Sequence, residues 1–362
     1  MINYINLKKQ YIKERKSLLS VIDKTLSTGM YILDKEVDLF EKNIQKYNKS
    51  KYCVALNSGT DALTLALYLV GVRKNDEVIT TSNSFVASTA VIAHLGAKPI
   101  FSDVLPDQNI DPQDIKKKIT KKTKAIMPVH LTGRPCEMDE IIYLSKKFGI
   151  PIIEDAAQAI GTKYKKKNVG NFGEIGCFSA HPLKNLNALG DSGYLVCNDR
   201  KYYEKAKELR NHGLISRSNV KNFGHVSRMD AIQASILNFR LRKLNKLILR
   251  RRDNFKFYNN FLDKEKVFFP PEKKYQFNTY HTFVIQTKNR NKLKKYLMKK
   301  GIETSIHYPK PIHMQTAYKK LKIKPVNLVN TIQQSKKILT LPINQYLSQS
   351  DIRYICSTIN NY

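Results

Sequence analysis

Between about residue 50 and residue 200 the chain alternates short apolar runs with helical ones, and this alternation limits the fold more than any other feature. The apolar runs lie at 53–56, 77–80, 99–104, 125–129 and 151–154, with helical runs at 60–70, 111–119 and 137–148 among them. Strands joined by helix-length crossovers pair in parallel, and a parallel sheet needs cover on both faces. The expectation is an α/β fold whose large domain carries a mostly parallel central sheet. Two more apolar runs follow at 177–180 and 194–197, and then a long basic helical stretch from 229 to about 261. A loop at 268–280 contains Pro270 and Pro271. After it come a strand-like run at 282–287, a helix at 292–300, an irregular stretch around 308–311 and terminal helices. These predict a smaller C-terminal α+β domain. The expected division is 1–250, N-terminal segment included, and 251–362, and a chain of 362 residues suits two such units.

Three places that end strand-like runs can build a site, because ligands in open α/β sheets bind beyond the carboxyl ends of the strands. In Asn57-Ser58-Gly59-Thr60-Asp61, Gly59 lets backbone approach a ligand, and the helix start that follows suits a phosphate. The same residues also make a plain helix cap. In Glu154-Asp155-Ala156-Ala157-Gln158, a carboxylate faces the crevice, where it can hold a protonated ring nitrogen or cap a helix. In Ser179-Ala180-His181-Pro182-Leu183-Lys184, a lysine lies among small and apolar residues. Desolvation turns such a lysine into a usable amine nucleophile. For a lysine judged alone, a solvated surface position is the simpler reading; its neighbours argue otherwise.

Bulk properties exclude several classes. The net charge is +33, which invites a polyanionic partner, but the cations are spread along the chain and form no nucleic-acid signature. Nucleic acid is therefore not expected, while a basic surface would gather an anionic substrate. The five cysteines are odd in number and lack CxxC spacing, which fits a reduced cytoplasmic protein better than a disulfide scaffold or zinc site. The first residues, MINYINLKKQY, form no secretory signal, and no apolar run is long enough to span a membrane. His94 falls on an apolar helical run and is expected in the core. His307 and His313 lack further ligands at a metal-binding spacing, so no metal is expected.

The strings EDAAQAIG and GCFSAHPLKNLNALGDSGYL, with NSGTDALTLAL, MPVHLTGRPCEMDEI, LRNHGL, SRMDAIQASIL and HYPKPIHMQTAY, resemble the DegT/DnrJ/EryC1/StrS family of sugar aminotransferases over nearly the whole chain. The resemblance implies a fold-type I aminotransferase using pyridoxal 5′-phosphate (PLP), a homodimer with interfacial active sites. Its substrates would be an amino-acid donor, L-glutamate, and a nucleotide-linked keto-sugar. Lys184 would carry PLP as a Schiff base. Asp155 would pair the ring nitrogen, Gln158 would meet the 3-hydroxyl, and Phe85 would lie against the ring face. Ser58, Gly59, Thr60 and Ser179 would bind the phosphate, and Arg228, His307 and Tyr308 would lie near the substrate, reaching in from the second subunit. The form K-N-L-x-x-x-G-D-x-G after the lysine resembles relatives that aminate at C3, whereas His181-Pro182 resembles C4-acting ones. Three departures stand out. Val226 stands where relatives have a partner-subunit asparagine that helps hold the phosphate, a role either missing here or taken over by Asn222 or His225. Asp34 replaces a glycine near the nucleotide, and His181 stands where 3-aminating relatives often have an aromatic. A dehydratase of this family would carry histidine in place of Lys184. A PLP-binding regulator on the same scaffold is the remaining alternative.

Overall fold

The computed structural model describes residues 1–323 and 326–362. Its centre is a seven-stranded sheet of β1 (Tyr52–Leu56), β2 (Glu77–Thr81), β3 (Lys98–Ser102), β4 (Thr123–Ile126), β5 (Ile153–Asp155), β6 (Ile175–Ser179) and β7 (Gly193–Cys197). The spatial order is β1-β7-β6-β5 on one side and β4-β2-β3 on the other. Parallel bridges from Ile126 to Ile152 and from Val129 to Asp155 join the halves. Only β7 runs against its neighbours, so the mostly parallel sheet expected from the alternation is present. All the parallel strands therefore end along one edge of the sheet.

Both faces of the sheet are buried, with a period of two along each strand. Val54 and Leu56 face α3 (Gly59–Leu69), where Ala62, Leu63, Ala66 and Leu67 cover them. Cys53 and Ala55 face the other way, toward Phe40 and Ile44 of α2 (Lys35–Asn48). Leu237 of α8 (Ala231–Leu241) completes that side. The helix α1 (Leu7–Leu26) packs on α8 through Leu18, Val21 and Ile22.

The basic helical stretch expected from 229 to 261 is two helices. Arg242 and Lys243 interrupt it between α8 and α9 (Leu244–Phe261). The expected boundary at 250/251 falls inside α9, whose start packs in the large core through Leu244 and Ile248. Its end enters a second core through Phe255 and Tyr258. That second core surrounds β8 (Phe283–Gln286), paired antiparallel with β9 (Ile338–Leu341), where the sequence suggested only terminal helices. Ile2 is bridged to Ile302, so the first residues lie against the C-terminal unit. His94, expected in the core, is exposed at the end of its helix. No helix is long and apolar enough to cross a membrane among the described residues.

Candidate active site

A cavity of about 460 Å³ opens at the edge where the parallel strands end. Ser58, Gly59, Thr60, Phe85, Asp155, Gln158, Ser179, Lys184, His307 and Tyr308 all line it. The sequence named each of these, but His307 and Tyr308, expected to reach in from a second subunit, line the cavity of their own chain.

One end is the start of α3. Ser58 has extended backbone and caps the helix, its hydroxyl accepting from the Asp61 N–H at 3.0 Å. The other free N–H groups of that first turn, with the hydroxyls of Ser58, Thr60 and Ser179, form an anion cradle. Close packing explains the glycines here. A Cβ on Gly59 would meet Ser179 Cβ at 2.8 Å, and one on Gly193 would meet the Ser58 carbonyl carbon at 2.2 Å. Only glycine lets the helix start lie directly on the ends of β6 and β7. Ser227 secures it from outside, donating to Asp61 at 2.7 Å.

Asp155, at the end of β5, is buried. One carboxylate oxygen accepts from Ser88 Oγ at 2.7 Å, the other from the Ala157 N–H at 3.2 Å. Burial pushes its acid up, against the hydrogen bonds of Ser88 and Ala157 and the charge of Lys184. A cation in the cavity would therefore be welcome beside it. Its neighbour Glu154 points into the protein, where Gly170, Phe172 and Gly173 donate their N–H groups to it. His130 joins them: its Nδ1 accepts from the Cys136 N–H, leaving Nε2 to donate to Glu154 at 2.9 Å. Burial alone would raise Glu154, but these hydrogen bonds hold it below the usual range. The pair fixes the loop after β5 and thereby the direction of Asp155.

Lys184 lines the cavity among apolar atoms, and removal from water pulls its ammonium down to about 8, with Asp155 opposing. Its loop is held from behind. Asn187 donates to the Pro182 carbonyl at 2.8 Å and exchanges hydrogen bonds with Gln10 of α1. Arg240 donates to the Asn187 carbonyl at 2.7 Å. Gln158 is oriented by the Thr132 N–H at 2.8 Å. The rings of Phe85, Tyr308, His307 and Tyr4 follow one another along the wall, with centroids 6.2, 5.3 and 5.8 Å apart. Burial pushes the Tyr308 phenol up to about 12 and pulls the His307 imidazole down to about 4.

Arg228 is not part of this lining; it donates to Asn211 at 3.0 Å. Val226 is exposed, and the Asn222 amide is turned onto Glu208 of its own chain. Asp34 caps α2 through one oxygen and leaves the other buried without a partner. His181 lines the cavity mouth. The sequence did not single out Tyr4, Ile5, Ser88, Asp191 or His281, which also line the cavity. Asp191 lay inside a quoted string and Ser88 three residues after Phe85; Tyr4 and His281 come from distant chain segments with no chemical motif of their own. Among the described residues no group of three or more ligating side chains could hold a metal ion. His313 instead hydrogen-bonds Ser82, and His307 hydrogen-bonds Thr340. A larger groove of about 590 Å³ lies between α1, α2 and α8, but its amides Asn43 and Asn238 are satisfied by each other and by Glu36.

The DegT/DnrJ/EryC1/StrS aminotransferase family matches residues 12–360. The chain is 34% identical to a pleiotropic regulatory protein of Geobacillus stearothermophilus, over 99% of this chain and 97% of that one. It is 36% identical to dTDP-3-amino-3,6-dideoxy-alpha-D-galactopyranose transaminase of Aneurinibacillus thermoaerophilus, over 100% of this chain and 99% of the relative. The crystal structure of S. venezuelae DesV in complex with a ketimine intermediate superposes with a TM-score of 0.96 at 31% identity, covering 99% of this chain and 98% of that one. A cavity-lining amine, a buried carboxylate and an anion cradle meeting in one cavity agree with those matches: the chain belongs to the DegT/DnrJ/EryC1/StrS aminotransferase family.

Proposed function

We propose that this protein moves an amino group from L-glutamate to the keto group at C3 of a nucleotide-linked sugar, for the synthesis of amino sugars of surface polysaccharides. The reaction would run in the cytoplasm, on a homodimer with its active sites at the interface. The observation that carries the reading is the meeting of Lys184, Asp155 and the α3 cradle in one cavity. The cofactor is pyridoxal 5′-phosphate, and the residues fit it. The cradle suits a phosphate, the buried Asp155 suits a ring cation, and Lys184 offers an amine whose neutral form is far more accessible near physiological pH than an ordinary lysine's. PLP supplies the electron sink that allows a proton to leave the carbon bearing the amine.

The chain's own residues do the rest. Lys184 Nζ would hold the cofactor and would accept and return the proton of the donor carbon. Asp155, fixed by Ser88 and Ala157, would hold the ring nitrogen as a cation. Ser58, Gly59, Thr60 and Ser179 would hold the phosphate, Gln158 would meet the 3-hydroxyl, and Phe85 would cover the ring face. His307 and Tyr308 contact the sugar, and Arg228 serves the neighbouring subunit's site. Regiochemistry at C3 is supported by the string from Lys184 to Gly193 and by the 3-amino product in the name of the Aneurinibacillus relative.

The name of the Geobacillus relative favours a second reading, a PLP-binding regulator on this scaffold. One experiment separates the two. Glutamate and a panel of 3-keto and 4-keto nucleotide sugars are incubated with the enzyme, and products are analysed by mass spectrometry and NMR. Amine at C3 supports the proposal. Amination of only the 4-keto sugars overturns the regiochemistry, and no product from any sugar favours the regulator.

A further inference from the structure

The cavity wall away from the α3 cradle is built by the first residues of the chain and by its C-terminal half. The Ile2 N–H donates to the Gly301 carbonyl at 2.8 Å, and the Glu303 N–H donates to the Ile2 carbonyl at 3.0 Å. The Tyr4 N–H donates to the Glu303 carboxylate at 2.9 Å. These bonds fix the Tyr4 ring in the lining, against His307. His281 joins the lining from a segment held on several sides. Asn185 donates to the Thr279 carbonyl at 3.2 Å, and Arg251 donates to the carbonyls of Tyr280 and His281 at 3.1 and 3.0 Å. Tyr280 has φ +46°, a left-handed conformation that costs a bulky L residue free energy and persists only where surroundings impose it.

Arg251 is the unusual member. It is buried, and its guanidinium donates to the two carbonyls and to the Gln345 amide oxygen, all neutral acceptors. No carboxylate among the described residues forms an ion pair with it. Its Nε and the Nδ1 of His281 are buried without a partner. Buried charges are normally paired, because leaving one uncompensated is expensive. The charge of Arg251, which does not itself line the cavity, reaches both Tyr4 and His281, which do.

We propose that Tyr4, His281 and Arg251 form a second anion subsite in the cavity, which takes a carboxylate of the amino-acid donor. The Tyr4 hydroxyl and a ring N–H of His281 donate to it, and Arg251 supplies the compensating charge from behind. Burial pushes the Tyr4 phenol up and pulls the His281 imidazole well below its usual value, so both are neutral donors at physiological pH. With phosphate held at one end and a carboxylate at the other, the donor amine is directed toward the Lys184 side of the cavity. The assignment of the anion to a donor rests on the proposed function; the subsite itself does not.

The test uses the PLP-loaded protein and glutarate, a dicarboxylate with no amine to react. Calorimetry gives its Kd for the wild type, Tyr4→Phe and His281→Phe. Each variant loses one hydrogen bond to a charged group, so Kd rises roughly tenfold. Steady-state kinetics should show the KM for glutamate rising by a similar factor in Tyr4→Phe, with the KM for the keto-sugar unmoved. Arg251→Gln, with folding checked by circular dichroism, weakens glutarate in the same direction. Glutarate binding that is absent in the wild type, or unaltered in the two milder variants, overturns the subsite. Equal shifts of both KM values overturn its assignment to the donor. Glutarate binding that depends on Tyr4, in a wild-type enzyme that does not turn over glutamate, supports the subsite while removing glutamate as donor.

Discussion

At the scale of single residues, the proposed chemistry turns on one amine and one carboxylate. Lys184 has a pKa lowered to about 8 because burial disfavours its charged form. The neutral amine is the reactive species, so PLP capture by the cofactor-free protein should quicken as pH rises through 8 and level off above it. An ordinary lysine would keep gaining until beyond pH 10. Stopped-flow absorbance across pH 6.5 to 10 reads this profile, on the order of the range where the two differ, and a rate still climbing at its upper end contradicts the assignment. Asp155→Asn should keep the fold, since an amide oxygen can still accept from Ser88. It leaves the ring cation unpaired, which costs about 3 kcal/mol or more and on the order of a hundredfold in kcat. A kcat within about twofold of wild type, under ~0.5 kcal/mol, removes Asp155 from that role. Both residues were legible in the sequence because strand-end strings framed them. Tyr4 and His281 were not: only tertiary packing brings the first residues of the chain against residue 281, and a lone tyrosine or histidine carries no signal of that.

At the scale of elements, the anion cradle depends on how closely α3 approaches the sheet. Gly193→Ala would drive a methyl group into the backbone of Ser58 and Gly59, at 2.2 and 2.3 Å. Overpacking of this kind costs about 1–3 kcal/mol, and because it acts on the cradle, PLP affinity should fall by roughly tenfold. Equilibrium dialysis checks it; unchanged affinity means the helix start does not hold the phosphate. The edge strand β1, which delivers this loop, has its own support. The Ala55 N–H donates to Glu41 at 2.8 Å and its carbonyl accepts from Arg210 at 2.8 Å, while Arg210 and Glu41 form a buried ion pair. Glu41→Gln leaves a buried arginine without its counter-charge and should cost about 3–5 kcal/mol, measured by urea unfolding. The strands of the sheet were legible because β-branched and aliphatic runs bury both faces. Two features were less so. The break at Arg242 and Lys243 has no glycine or proline to mark it, and β9 follows a polar helix directly, from Lys337 to Ile338.

At the scale of the whole molecule, the cavity opens beside apolar surface. Phe223 is 98% exposed and Val226 55%, and Phe85 and Leu183 are exposed while also lining the cavity. Side chains of this kind suit burial against a second copy. Sedimentation should therefore give twice the 41.8 kDa chain mass, and Phe223→Asp should shift the protein toward the monomer. A wild-type monomer at micromolar concentration would contradict the interfacial site. The large excess of positive charge is spread along the chain, and among the described residues Lys184 is the one lysine or arginine that lines the cavity. This excess supplies the background for the most direct test of the central claim. The protein holds 63 lysines and arginines, and only one lysine is claimed to carry the cofactor. PLP is added, the adduct is reduced with borohydride, and the protein is digested and mapped by mass spectrometry. The phosphopyridoxyl mass should appear on the peptide containing Lys184, at one equivalent per chain. A label spread over surface lysines, or concentrated on any lysine other than Lys184, would contradict the account.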